Sequence, residues 1–450
     1  MQKRAWAVAA LAIGLAGTFA WGSERSADPA ARQGQRPNIL IVTVDTLRAD
    51  HLSVNGYGRE TSPNIDRLLN GGVHFTDART VEPLTNPAMC SMLTSRAPST
   101  HGATRNGLRL RPGLSSLTSA LSDYGYRTGA FVGNWTLRDR LSGLGEHFEH
   151  YEEVLNRRRW FGLVRSEATA EDLTDIASGW IEHHVEHDDW RPFLAWVHYV
   201  EPHAPYRFQK DHAEILDGVE RPKKRDRYDT EIAFVDAEIG RLLDRVEAVS
   251  PGGRTLILFA SDHGESLGEH GYWGHGRNLH EPNLRIPMGL TWAGRVPARQ
   301  IDSPAMITDL APTVLGLLNM PRPGEFEGFD WTAVIDGAEA PVGRVTRYEA
   351  HKGAVLAKHA SDTARRAGLL QVATLVDGRK EILTIKKDSV SAFDLEQDPG
   401  EVRPLAPGIA TRVREWYVAV KEALSREAGL PAQQLDEESI AALKSLGYVD

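Results

Sequence analysis

Uninterrupted apolar runs that end in polar residues recur along the chain: Asn38–Asp45 (NILIVTVD), Arg127–Asn134 (RTGAFVGN), Pro192–Val200 (PFLAWVHYV) and Arg254–Gly264 (RTLILFASDHG). Continuous rather than alternating apolarity, rich in β-branched residues, predicts strands buried on both faces of a parallel sheet. Between them the period changes to that of a helix. Ser62–Gly72 offers a serine cap, a proline in the first turn and a glycine at the end. Tyr228–Val246 gathers Ile232, Val235, Ile239, Leu242 and Leu243 on one face. The alternation predicts an α/β fold, a doubly wound, mostly parallel sheet flanked by helices. Ligands of such sheets sit beyond the carboxyl ends of the strands, so Asp45, His198, His203, Asp262 and His263 are expected in one crevice.

After about residue 340 the texture changes. Leu369–Lys387 holds two β-rich runs that meet at Asp377-Gly378, a hairpin signal, and Ala410–Glu427 reads as a helix. The expected organisation is a main α/β domain over residues 37–340 and a smaller C-terminal α+β domain over 341–450.

The amino terminus differs in kind. Lys3 and Arg4 precede an apolar run from Ala5 to Trp21 and then small residues. This layout predicts a secretory signal peptide over residues 1–25, or an uncleaved N-terminal membrane anchor, with a polar linker over 26–36. Either way the body of the protein is expected outside the cytoplasm, periplasmic or secreted. With Cys90 as the single cysteine, an internal disulfide is excluded. Charged residues at 25% and hydrophobic ones at 41% fit a folded body rather than a membrane bundle. A net charge of −9 argues against a nucleic-acid partner, which requires a basic face.

Three segments carry the chemistry. Asp45 closes a buried strand; alone, it reads as a turn carboxylate or a helix cap rather than a metal ligand. Asp262 and His263 are adjacent after another buried strand and are followed by glycine, a pairing suited to a divalent cation, with His270 and His275 in the Gly-rich loop beyond. The third segment is Thr85–Arg96 (TNPAMCSMLTSR). Pro87 suits a first helical turn, which puts Thr85 at or just before the helix start, where free backbone N–H groups favour an anion. Cys90 then falls about 140° round the helix from Thr85 and roughly 7.5 Å along it. If Thr85 faces the crevice, Cys90 faces the core, the ordinary place of a lone thiol. Asp236, on the helix with the apolar face, reads as a capping or surface carboxylate rather than a second metal ligand.

These segments resemble the sulfatase family of the alkaline phosphatase superfamily. The similarity runs in order through RPNILIVTVDTLRADHL, GYGRETSPNIDRLLNGGVHFTDA, TNPAMCSMLTSRAPSTHG, YVEPHAPY, YDTEIAFVDAEIGRLL, SDHGESLGEHGYWGHG and ITDLAPTVLGLL to FDLEQDPGE and the closing LKSLGYVD. The resemblance implies that Asp45, Asp262 and His263 hold one divalent metal ion (Mn, Zn or Ca). Thr46 stands where many sulfatases have a second Asp. The resemblance further implies that His203 contacts the ester group, and that His275 stands where many members place a Lys that helps the leaving group. One departure matters. Family members convert a Cys or Ser in Cys-x-Pro-Ser-Arg to formylglycine, and aligning Leu93-Thr94-Ser95 with their Leu-Thr-Gly sets Thr85 at that position. Threonine cannot become formylglycine.

A Thr nucleophile is familiar elsewhere in the superfamily, so the resemblance implies a formylglycine-independent ester hydrolase with Thr85 both metal ligand and nucleophile, acting on a sulfated or phosphorylated small molecule, glycan or lipid. Two rivals stay open here: an extracytoplasmic phospho-group transferase, and an inactive homologue that binds an anion.

Overall fold

The computed structural model describes residues 36–155, 157–159, 164–187, 191–353, 368–406, 411–426 and 441. The expected signal or anchor segment, residues 26–35 of the linker and the closing LKSLGYVD lie outside the described residues. Among the described residues no helix is long and apolar enough to cross a membrane.

Among the described residues, eight strands form the central sheet in the order Arg299–Ile301, Val73–Phe75, Met288–Thr291, Thr255–Ser261, Asn38–Val44, Phe193–Tyr199, Arg127–Val132 and His150–Glu153. From Thr255–Ser261 to His150–Glu153 every pairing is parallel, and Met288–Thr291 runs antiparallel to both its neighbours. The continuous apolarity of Asn38–Val44 has a direct cause. Its alternate residues serve two different cores. Leu40, Val42 and Val44 pack with Ile232, Val235 and Ile239 of the helix Lys224–Val249, while Ile39 and Ile41 belong to the core that holds Met89 and Cys90 of the helix Thr85–Thr94. The register then sets the chemistry. Val44 pairs with Ser261 on one side and Tyr199 on the other, so the residues that follow, Asp45 and Asp262, emerge at the same level of the sheet.

The helix predicted within Ser62–Gly72 spans Pro63–Asn70, but its cap is not the serine. The Ser62 hydroxyl donates to Asp66 Oδ1 at 2.7 Å. The free N–H groups of Asn64 and Ile65 donate instead to the Asp236 carboxylate, at 3.1 and 2.8 Å, from the neighbouring long helix. Burial pushes Asp236 up to about 6. Asp236→Ala strips three donors, the N–H groups of Asn64 and Ile65 and the Asn64 side-chain amide, of their acceptor and is expected to lower unfolding free energy by about 2 kcal/mol in urea titration. Asp236→Asn, which keeps an acceptor oxygen, is expected to lose less.

At the C-terminal side, Thr346–His351, Leu369–Val376, Arg379–Thr384 and Ser389–Asp394 form an antiparallel sheet. Asp377 (φ 45°) and Gly378 (φ 73°) make the tight turn, two successive left-handed residues as a two-residue hairpin requires. Val413, Val420 and Leu424 of the helix Thr411–Arg426 cover Val372 and Leu383 on one face. Tyr348, Ala373, Leu375 and Phe393 enter the same core as Ile39 and Cys90, so the small sheet is continuous with the interior of the large one.

Candidate active site

Asp45, Asp262 and His263 are fully buried and present one ligand atom each within 4.8 Å of one another. Backbone wiring holds them. The Thr46 and His263 N–H groups both donate to Asp262 Oδ1, at 2.9 and 2.7 Å, and the Ser261 hydroxyl donates to the carbonyls of Val44 and His263. Thr46 sits at φ 56°, a conformation that a β-branched residue adopts only under constraint, at a cost of about 1–3 kcal/mol. The Tyr228 hydroxyl, which donates to the Thr46 carbonyl at 2.7 Å, helps to impose it. Asn134, at the end of the strand Arg127–Val132, donates its amide to Asp45 Oδ2.

The electrostatics at this point call for a cation. Burial, then the neighbouring Asp262, push the Asp45 carboxyl well above the usual range, and burial lowers His263 and takes His198 down to about 4. His263 Nδ1–H donates to the Gly264 carbonyl at 2.8 Å, which leaves Nε2 with its lone pair. Asp45 Oδ1, Asp262 Oδ2, His263 Nε2, His198 Nε2, Thr46 Oγ1 and Thr85 Oγ1 are all buried without a hydrogen-bond partner. Buried polar atoms are almost always satisfied, so this concentration of acceptor atoms fits a divalent cation.

Thr85 is the first residue of the helix Thr85–Thr94, after Leu84 at the cap. Asn86 N–H is taken by Asn106 Oδ1 at 3.1 Å, while the Thr85 hydroxyl stays unpartnered at 0% exposure. The helix packs against the turn Trp135–Leu137, next to Asn134, and the Leu84 side chain lies where a Cβ on Gly276 would be, beside His275. Cys90 points the other way. It is buried among apolar side chains, its Sγ–H donates to Asn86 Oδ1 at 3.4 Å, and burial raises its pKa well above that of a free thiol.

His203 and His275 meet in front of this pocket. Their ring centroids are 5.3 Å apart, and His275 is 4.5 Å from the ring of His263. His203 Nδ1–H donates to the Ala204 carbonyl at 2.8 Å. His275 Nδ1 is 3.1 Å from Glu265 Oε1, a buried carboxylate that fixes the orientation of the ring. Sequence reasoning passed over Asn134 and Glu265. Each had a visible signal, a polar residue at the carboxyl end of a predicted strand and a glutamate directly after Asp262-His263-Gly264.

Among the described residues, two other trios have ligand-type side chains at similar spacing, His270/His280/Glu401 and Glu82/Glu349/His351. In the first, the imidazoles stack face to face at 3.8 Å and 13°, so their lone pairs run side by side instead of converging, and Glu401 pairs with Lys380 at 2.9 Å. In the second, His351 N–H and Nδ1 meet Glu82 at 2.7 and 2.9 Å while the Ser99 hydroxyl donates to Glu349 at 2.6 Å. That clasp ties the small sheet to the segment three residues before Thr85.

The fold and the strand-end pocket define a sulfatase-like hydrolase. Residues 37–320 match the Sulfatase family, and the chain belongs to it. It is similar to an ulvan-active sulfatase of Formosa agariphila, 25% identical over 69% of this chain and 67% of that one. Among solved structures it resembles one determined in complex with its substrate D-glucosamine-2-N,6-O-disulfate, with a TM-score of 0.68 at 19% identity over 87% of this chain and 99% of the other. It also resembles a phosphonate monoester hydrolase of Agrobacterium radiobacter, with a TM-score of 0.64 at 19% identity over 87% and 96% of the two chains. Both likenesses concern the fold.

Proposed function

We propose that this protein is a metal-dependent hydrolase of sulfate or phosphate esters in which Thr85, not a formylglycine, is the nucleophile. The observation that carries the reading is the set of buried, unpartnered acceptor atoms of Asp45, Asp262 and His263, together with the unpartnered hydroxyl of Thr85. A divalent ion held by Asp45, Asp262, His263 and Thr85 would lower the hydroxyl's pKa and neutralise ester oxygens. Mixed carboxylate and imidazole ligands suit Mn or Zn better than Ca.

The chain's own groups supply the rest. Thr85 Oγ gives up its proton to solvent and forms a bond to the sulfur or phosphorus as the bond to the leaving oxygen breaks. The leaving oxygen takes a proton from His275, which Glu265 orients through Nδ1 at 3.1 Å. His203, 5.3 Å from His275 between ring centroids, contacts the remaining ester oxygens. In the second half the now neutral His275 takes a proton from water, the water oxygen bonds to the central atom, and the bond to Thr85 breaks. For phosphorus this mirrors the first half. For sulfur it replaces the collapse of a formylglycine hydrate, a route that Thr85 lacks.

The test is to purify the protein, measure bound metal, and assay aryl sulfates, aryl phosphates and aryl phosphodiesters. About one Mn or Zn per chain and turnover of at least one ester class are expected. No bound metal and no turnover of any class would overturn the reading.

A further inference from the structure

The pocket described above accounts for one anionic group. A cation beside it has no assigned role. Lys224 is exposed at the first turn of the helix Lys224–Val249, and its Nζ lies 4.1 Å from the centroid of the Trp273 ring and 5.4 Å from that of Tyr206. Arg225, its neighbour, is neutralised by Glu269 at 3.0 Å, and Arg59 bonds Asp226 at 2.7 Å. Among the described residues, no carboxylate oxygen lies within ion-pair distance of Lys224 Nζ; aromatic faces hold it instead.

Both rings belong to the segments that carry the reactive histidines. Trp273 is two residues before His275, in a loop whose Gly268, Gly271, Gly274 and Gly276 all have positive φ. A Cβ on Gly268 would come within 3.3 Å of the indole, so glycine there lets the ring lie flat against the loop. Tyr206 is three residues after His203, and burial together with the charge of Glu265, the partner of His275, holds its phenol well above the ordinary tyrosine range. Lys224 is therefore fixed at the rim of the pocket by the same two loops that position its acid and its ester-binding histidine. Its placement is costly for the helix. Lys223, Lys224, Arg225 and Arg227 crowd a helix N-terminus, the positive end of the dipole, where cations are disfavoured. The first turn holds one carboxylate, Asp226, and Arg59 already pairs with it.

We propose that Lys224 is a specificity-determining residue, which binds a second anionic group, a carboxylate, sulfate or phosphate, on a substrate that carries it beside the ester being cleaved. This rests on the hydrolase reading and narrows its substrate class to esters with two anionic groups. The aromatic faces keep the ammonium extended and partly dehydrated, so it meets the incoming anion without first losing a protein carboxylate.

The experiment compares a 4-nitrophenyl ester of the class turned over with the same ester bearing a ring carboxylate, in the parent protein, Lys224→Gln and Lys224→Arg. Lys224→Gln is expected to lower the ratio of kcat/KM for the carboxylated over the plain ester about fivefold, with the change in KM. Lys224→Arg restores the ratio, and raising salt from about 0.05 to about 0.5 M erases the preference in the parent. An equal loss on both esters, or an unchanged ratio, overturns the assignment. If the parent cleaves neither ester, the hydrolase reading has failed. The recognition role is then read by calorimetric titration with the two esters: preference for the carboxylated one in the parent but not in Lys224→Gln upholds it, and equal preference overturns it.

Discussion

Thr85→Ala is expected to reduce kcat by between about a thousandfold and a millionfold, the range seen when a nucleophile is deleted, while Cys90→Ser leaves kcat within about twofold of the parent. The two residues stand on one short helix and differ in what surrounds them. Thr85 opens the helix with a buried, unpartnered hydroxyl and with Leu84 packed beside Gly276. Cys90 is sealed in the core, bonded to Asn86 within its own helix, and held as the neutral thiol by burial. A neutral, inaccessible thiol is neither nucleophile nor metal ligand. Serine at position 90 keeps a donor toward Asn86 and costs about 1 kcal/mol of stability for a more polar atom in an apolar site. Melting temperatures measured beside the kinetics separate misfolding from lost chemistry. Thr85→Ser, which keeps the hydroxyl, retains measurable turnover. If Thr85→Ala turns over normally and Cys90→Ser is dead, the nucleophile has been assigned to the wrong residue.

How far the sequence could be read follows from which interactions are local. Strands buried on both faces announce themselves, because two cores demand apolar side chains at every position, as in Asn38–Val44. A parallel register then brings their carboxyl ends level, which made it possible to expect Asp45, Asp262 and His263 in one crevice from their positions alone. Helix geometry likewise sets Thr85 and Cys90 on different sides of one short helix. What escaped were the hydrogen bonds between side chains far apart in sequence. Asp236 caps a helix some 170 residues earlier in place of the local Ser62, and nothing in either segment specifies the other. Asn134 holds Asp45 and Glu265 holds His275 by contacts that only the packed sheet creates. The left-handed Thr46 was equally hidden, since strain is a property of the surroundings and threonine carries no mark of it.

Removing metal should abolish turnover, with a loss of at least about a thousandfold in kcat, and should lower the melting temperature by about 3 °C. Manganese or zinc should restore both. The thermal figure follows from linkage. An ion at a hundred times its dissociation constant adds about 2.7 kcal/mol, and a domain of this size shifts by somewhat less than the 2–4 °C per kcal/mol of smaller ones. The more discriminating arm is Asp45→Asn, because it reverses sign between the two states. In chelated protein Asp45 and Asp262 are buried together without a counter-charge, and burial and that repulsion raise the Asp45 pKa. A carboxyl whose folded pKa is raised favours folding when protonated, so its contribution is fully present below the ordinary aspartate range and is lost as pH rises through the folded value. Neutralising position 45 removes that penalty, and asparagine keeps an oxygen to accept from Asn134. Chelated Asp45→Asn should therefore melt higher than the chelated parent at pH 8 and lose less stability than the parent as pH rises above the ordinary aspartate range. With manganese or zinc present the order reverses, because the amide is a poor ligand and the variant gains little from the ion. A variant that melts lower than the parent in both states would mean that Asp45 serves the fold through its hydrogen bonds and that the metal, if bound, is held elsewhere.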